Sequence, residues 1–156
     1  MEKVFYIDIN NTLYTFSKRA LKKFQDGDHT ALVKHARKTT DYLPPTAVLL
    51  SVYTYEDEKE AWEKKLSRDF PDVGHIFIQG NKEHFAHKES ILIDDYKNNG
   101  DAWSKAGGIY WKFINKYNSI SKKYRNVTFR NTKKFFEIID VLTGEALVHI
   151  RKEVSR

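Results

Sequence analysis

Five short apolar runs, VFYIDI (4–9), TAVLLSVYT (46–54), HIFIQG (75–80), ILIDDY (91–96) and IYWKFI (109–114), are separated by stretches with helical character. No other feature limits the fold as much. A strand buried on both faces reads as a continuous apolar run, whereas a strand with one wet face alternates. Where such runs alternate with helices, each connection crosses over the sheet and neighbouring strands come out parallel. The expected fold class is α/β: a Rossmann-like, three-layer α/β/α arrangement around a five-stranded, mostly parallel sheet. A chain of 156 residues suits one domain, 1–156. At that length folding buries roughly two-thirds of the unfolded chain's surface.

The intervening segments carry their own signals. In FSKRALKKFQDGD, Phe16, Ala20, Leu21 and Phe24 recur at helical spacing with basic residues opposite, and HTALVKHARK reads as a second helix. The two prolines of DYLPP end this region. Residues 14–45 are therefore expected as a small, basic helical segment inserted between the first two strands. TYEDEKEAWEKKLSRDF offers Thr54 as N-cap, acids in its first turn, and a narrow stripe of Ala61, Trp62 and Leu66. NKEHFAHKES is a polar connection or short helix, and NNGDAWSKAGG is a helix closed by glycines. From Lys122 the pattern changes. In this extension, 122–156, FFEIIDV and ALVHI flank the turn signal LTGE and predict a β-hairpin, with a helix through EIIDVL as the competing reading.

Composition removes several chemistries. The chain has no cysteine, which excludes structural disulfides, thiolate metal sites and a cysteine nucleophile. The N-terminus runs directly into a strand and carries an acid at Asp8, so no signal peptide is expected. No apolar run approaches the roughly 20 residues that span a bilayer, and a soluble, cytoplasmic protein without a membrane partner is expected. The 27 basic against 21 acidic residues give a net charge of +6, which favours phosphorylated or polyanionic partners. Of the six histidines, only His84 and His87 fall at ligand-like spacing. Further zinc ligands are lacking, so surface histidines are expected.

In parallel sheets ligands bind beyond the carboxyl ends of the strands. The residues at those ends are Asp8 and Asn10, Ser51, and Asp94 with Asp95. Taken singly, each has a plain account: a strand-end turn for the first pair, a solvated turn for the acids, nothing distinctive for the serine. Taken together, at successive strand ends, they make a site.

DINNTL, VLLS, a lysine, and ILIDDYKNNGDAWSKAGGI, in that order, resemble the haloacid dehalogenase-like phosphohydrolases, and the last segment most resembles their 5'(3')-deoxyribonucleotidase branch. The resemblance spans about residues 4–114. It implies Mg²⁺-dependent hydrolysis of a nucleotide or other phosphomonoester through an aspartyl-phosphate. It makes Asp8 the nucleophile, has Thr12, Ser51 and Lys82 contact the phosphoryl group, and has Asp94 and Asp95 hold Mg²⁺ with Asp8 and the Asn10 carbonyl. Lys88 is the rival to Lys82. The departure is Asn10, where the family has an aspartate that exchanges protons with the leaving group and water. An amide has no proton to exchange near neutral pH, and such help is worth about 10² to 10⁴ in rate. An impaired relative that binds a phosphorylated ligand or nucleic-acid end is the alternative. The basic insertion favours an anionic partner larger than a phosphate, and SKKYRNVTFRNTKK could extend that surface, with Tyr124 and Phe129 available to stack on bases.

Overall fold

The structure, a computed structural model, describes residues 2–131 and 135–151. Each apolar run forms a strand: β1 (Val4–Ile7), β4 (Ala47–Val52), β5 (Gly74–Ile78), β6 (Ser90–Asp94) and β7 (Ile109–Phe113). Between them lie α1 (Lys18–Gln25), α2 (Ala31–His35), α3 (Glu56–Asp69) and α4 (Lys97–Lys105), and a two-residue ribbon pairs β2 (Tyr14–Thr15) with β3 (Arg37–Lys38). A 3-10 turn, Lys82–Phe85, precedes β6.

The sheet has eight strands rather than five. Beyond β7 come β8 (Arg125–Asn131), β9 (Phe135–Asp140) and β10 (Ala146–Arg151), giving the order β10-β9-β8-β7-β6-β1-β4-β5. The strands from β5 to β8 pair in parallel, and β9 and β10 add antiparallel. Residues 125–131 alternate too weakly to stand out as a strand, and no helix precedes them. Pairing is decided by β7, whose free edge would otherwise leave a row of unsatisfied backbone groups. The expected hairpin forms from β9 and β10, and EIIDVL is not helical. Its turn is held by Asp140 Oδ1, which accepts from the amides of Leu142 and Thr143 at 2.8 and 3.1 Å.

Successive residues of the central strands face opposite sides. Ile7, Leu49, Ile91 and Ile93 pack with Trp62 and Leu66 of α3, whereas Leu50, Leu92 and Tyr110 pack with Trp103 of α4. Helices thus flank a large, mostly parallel sheet. Two local expectations differ. Leu21 is 45% exposed because α1 buries only Ala20. The α3 N-cap is Tyr55 rather than Thr54, since Glu58 Oε1 reaches back to the amides of both Thr54 and Tyr55 at 3.1 and 3.4 Å. Among the described residues, no helix is long and apolar enough to cross a membrane.

Two glycines of the 97–108 segment, Gly100 and Gly108, have a packing reason. A Cβ at Gly100 would lie 2.0 Å from the Tyr110 ring, and one at Gly108 would lie 2.2 Å from Trp103 Nε1. Gly100 therefore lets α4 lie flat on Tyr110, whose hydroxyl donates to the Asp94 carbonyl at 2.9 Å. Gly100→Ala is expected to lower stability by about 1–3 kcal/mol, as overpacking does. Urea denaturation should show this, and an unchanged midpoint would contradict the close approach.

Candidate functional site

The six parallel strands reverse direction of growth at β1: β4 and β5 lie on one side, β6, β7 and β8 on the other. Such a reversal opens a crevice beyond the carboxyl ends of the two strands it separates. Asp8 follows β1, and Asp94 ends β6 beside it, with the Asp8 amide donating to the Ile93 carbonyl at 2.9 Å.

The loop after β1 is built by DINNTLY. The Ile9 carbonyl accepts from the amides of Leu13 and Tyr14 at 3.1 and 3.0 Å, and Asn11 takes the left-handed conformation at φ 61°. Asparagine tolerates that conformation better than most residues. The turn sends Thr12 back towards the strand end, where its hydroxyl lies 3.4 Å from Asp8 Oδ2 and 3.5 Å from Asp95 Oδ1. From the insertion, Thr39 Oγ1 donates to the Thr12 and Leu13 carbonyls at 2.8 and 2.9 Å and pins the turn.

Lys82 enters from the 3-10 turn. Its ammonium donates to Asp8 Oδ1 and to Asp94 Oδ2, each at 2.8 Å. Lys82, Asp8 and Asp94 are all buried. Lys88, exposed in the turn before β6, stands at the far end of that strand and has no part in the cluster. Asp94 is further held by Asn99 Nδ2 at 3.1 Å and by the Tyr96 amide at 2.8 Å.

The electrostatics follow from crowding. Asp8, Asp94 and Asp95 each offer a carboxylate oxygen within 4.8 Å of the others. At an effective dielectric near 20, two such charges repel by about 3 kcal/mol or more. Burial first, then the neighbouring Asp94, hold the Asp8 carboxyl well above the ordinary aspartate range despite the Lys82 contact. The same two causes raise Asp95. For Lys82, burial alone would lower the ammonium's pKa, but Asp8 and Asp94 outweigh it and hold the group protonated. Three carboxylates facing one point with a single resident cation leave an excess of hard oxygen donors, and this cluster could hold a metal ion.

Of the remaining expected residues, Ser51 is buried in β4 next to β1, outside the hydrogen bonds of the Lys82 cluster. Among the described residues, Asn10 Oδ1 is buried with no hydrogen-bond partner. Tyr124 does not present a free ring: it packs on Tyr110 at 4.7 Å and its hydroxyl donates to Asp101 at 2.6 Å. Phe129 packs between Phe113 and Phe136 and lines a cavity beside the site. Lys133 and Lys134 of the basic tail lie outside the described residues.

Two residues had no place in the sequence reading. In the loop after β7, Asn115 Nδ2 donates to the Asn11 carbonyl at 2.8 Å and to Asp95 Oδ2 at 3.3 Å. Asn118 Nδ2 donates to the carbonyls of Phe113 and Asp95 at 2.8 and 3.1 Å. Both sit beyond a strand's carboxyl end, and the asparagines of INKYNS were the available signal. No protein-family model, curated protein or solved structure matches this chain.

Two outcomes follow from the cluster's charges. Lys82→Ala removes the cation between two buried carboxylates, and a loss of about 3–5 kcal/mol is expected by denaturant titration. In metal-free buffer, the raised Asp8 and Asp95 carboxyls contribute stability that is fully present below 3.8, the ordinary value, and lost as pH rises through their folded values. The melting temperature should therefore climb as pH is lowered from neutrality into that window. The climb should shrink in Asp8→Asn.

Proposed function

We propose that the protein is a Mg²⁺-dependent phosphohydrolase of the haloacid dehalogenase-like type, acting on a nucleotide or related phosphomonoester. The accompanying fold reading is a Rossmann-like, three-layer α/β/α domain with residues 14–45 as a small cap. The observation that carries the proposal is the Lys82 ammonium, 2.8 Å from both Asp8 and Asp94 beneath the strand-end crevice. A buried aspartate held by a lysine beside further carboxylates is what nucleophilic attack on a phosphate dianion requires, because unscreened repulsion would otherwise keep them apart.

Asp8, Asp94, Asp95 and the Asn10 carbonyl would hold the metal, and the oxygen-only donor set fits Mg²⁺. When bound, the ion supplies neutralising charge to the phosphoryl oxygens. Lys82 fixes Asp8 Oδ1 and leaves Oδ2, which has only the long 3.4 Å approach from Thr12, as the attacking oxygen. Its attack on phosphorus breaks the bond to the leaving oxygen, which takes its proton from water. A second water then attacks the aspartyl-phosphate, releasing orthophosphate and restoring the Asp8 carboxylate. The net change is one water consumed per ester cleaved. Thr12 and Ser51 supply hydroxyl donors to the phosphoryl oxygens.

Asn10 sets the limit on rate. It neither gives a proton to the leaving oxygen nor takes one from water. Phosphoenzyme formation is therefore fast only for leaving groups that depart unprotonated. Asn10 also favours the second reading, a protein that binds a phosphorylated ligand and turns it over hardly at all. Phosphate release from p-nitrophenyl phosphate and from a deoxynucleoside monophosphate, measured side by side with Mg²⁺, separates the two. The proposal expects turnover or a burst with the aryl ester, abolished in Asp8→Ala. Asn10→Asp should raise nucleotide turnover by about 10²-fold or more. No release from either ester, and no phosphoenzyme, would leave the binding reading.

A further inference from the structure

Two cavities adjoin at Thr15 and Phe16, which line both, and together offer a track along this side of the molecule. The inner cavity, about 350 Å³, begins at Asn11 and Asn115 beside Asp95 and runs past the rings of Phe16 and Tyr117. Tyr117 is 59% exposed, with the Lys116 ammonium 5.1 Å from its ring centre. The outer cavity, about 810 Å³, is lined by Arg19, Lys23, Lys34 and Arg37 and by no carboxylate.

What sets those four cations apart is that they share one groove. Their neighbours Lys22 and Lys38 are paired with Asp26 and Asp41. Among the described residues, Arg19, Lys23, Lys34 and Arg37 have no acidic partner. Arg19 and Lys23 are one turn apart on α1, and Lys34 and Arg37 close the groove from α2 and β3. Like charges converging on one groove repel, and a polyanion is what relieves them. A small phosphomonoester cannot do so, because its single phosphate is taken up at Asp8 on the other side of the ring-lined slot. The complementary ligand has a terminal phosphate, then a flat ring system, then further phosphates.

We infer that this track binds the phosphorylated end of a single-stranded oligonucleotide. Its terminal phosphate lies at Asp8, its first base against Tyr117, and its following phosphodiesters along Arg19, Lys23, Lys34 and Arg37. The inference rests on the reading of the Asp8 cluster as a phosphate site and names the substrate class for it. A duplex does not fit this description, since its bases are already stacked and a ring-lined slot needs an unpaired one. The reaction is the same hydrolysis: one water is consumed, the terminal phosphate leaves as orthophosphate, a hydroxyl end remains, and the internal diesters are untouched.

The test reads binding without turnover. Fluorescence anisotropy of a thymidine octamer, labelled at one end and carrying phosphate or hydroxyl at the other, would be measured in Mg²⁺ with the full-length Asp8→Asn variant, which cannot form the phosphoenzyme. Both polarities and a duplex control would be included. The phosphorylated single strand should bind more tightly than the hydroxyl-ended strand, the duplex and thymidine monophosphate. With three or four phosphates neutralised, affinity should fall about 20- to 50-fold between roughly 50 and 200 mM salt. Arg19→Ala with Lys23→Ala should reduce the logarithmic salt slope by about 1.4, and Lys34→Ala with Arg37→Ala should do the same from the opposite wall. Tyr117→Ala should weaken binding about tenfold, within the range of one lost base stack. Binding no tighter than the mononucleotide, indifferent to the terminal phosphate, or unmoved by both double substitutions would overturn the inference. Inactivity on aryl phosphates alongside tight, end-dependent binding would sink the hydrolase reading and leave this one in place.

Discussion

The Lys82 ammonium between Asp8 and Asp94 is the interaction on which the rest of the molecule depends. Two buried carboxylates at adjacent strand ends are tolerable only with a cation between them, and a buried cation is tolerable only with both. The three groups come from residues 8, 82 and 94, so the contact closes the sheet's switch point from both sides. It ties β1, β6 and the 3-10 turn into one unit. Stability is not its main yield, since well-packed apolar residues would serve as well there. Its consequence is a preorganised cluster of ionisable groups at the carboxyl ends of β1 and β6.

Around that point the chain supplies support rather than further charge. Thr39 holds the β1 turn from the insertion, Asn115 holds it from the loop after β7, and Asn99 and Tyr110 hold Asp94 from α4 and β7. Each supporting group is uncharged at neutral pH, so each fixes a position without shifting the balance among the three carboxylates. Gly100 belongs to this set indirectly, by allowing α4 to approach Tyr110. The long connection between β7 and β8 lacks a helix and is instead folded on Asn126, which exchanges hydrogen bonds with the backbone of Ser121 at 2.7 and 2.9 Å. That compact loop is what brings Asn115 and Asn118 back over the strand ends.

On the proposed reading Asn10 stands where an aspartate would exchange protons, and its amide oxygen is buried without a donor among the described residues. The segment between β1 and β4 lines a cation-rich groove with Arg19, Lys23, Lys34 and Arg37. On that same reading, an aspartate site with weakened proton transfer beside a cation-lined groove suits holding a large anion better than fast turnover of a small one.

Much of this was written in local pattern. Continuous apolar runs of strand length between helical segments read as strands of a parallel sheet, and that made five strands, their parallel pairing and the position of Asp8, Ser51, Asp94 and Asp95 legible residue by residue. The LTGE turn between two apolar stretches likewise marked the hairpin. Tertiary structure alone decided the rest. Lys82 and Lys88 are equal as letters, and only the path of the chain before β6 buries one and exposes the other. The sixth parallel strand, β8, exists because β7 offered an unpaired edge, which 125–131 by itself does not announce. Asn115 and Asn118 reach Asn11 and Asp95, distant in sequence, and the four cations share one groove only because α1, α2 and β3 pack together. Periodicity reports what a residue's neighbours in the chain require, whereas these roles are set by what the folded chain brings within hydrogen-bonding reach.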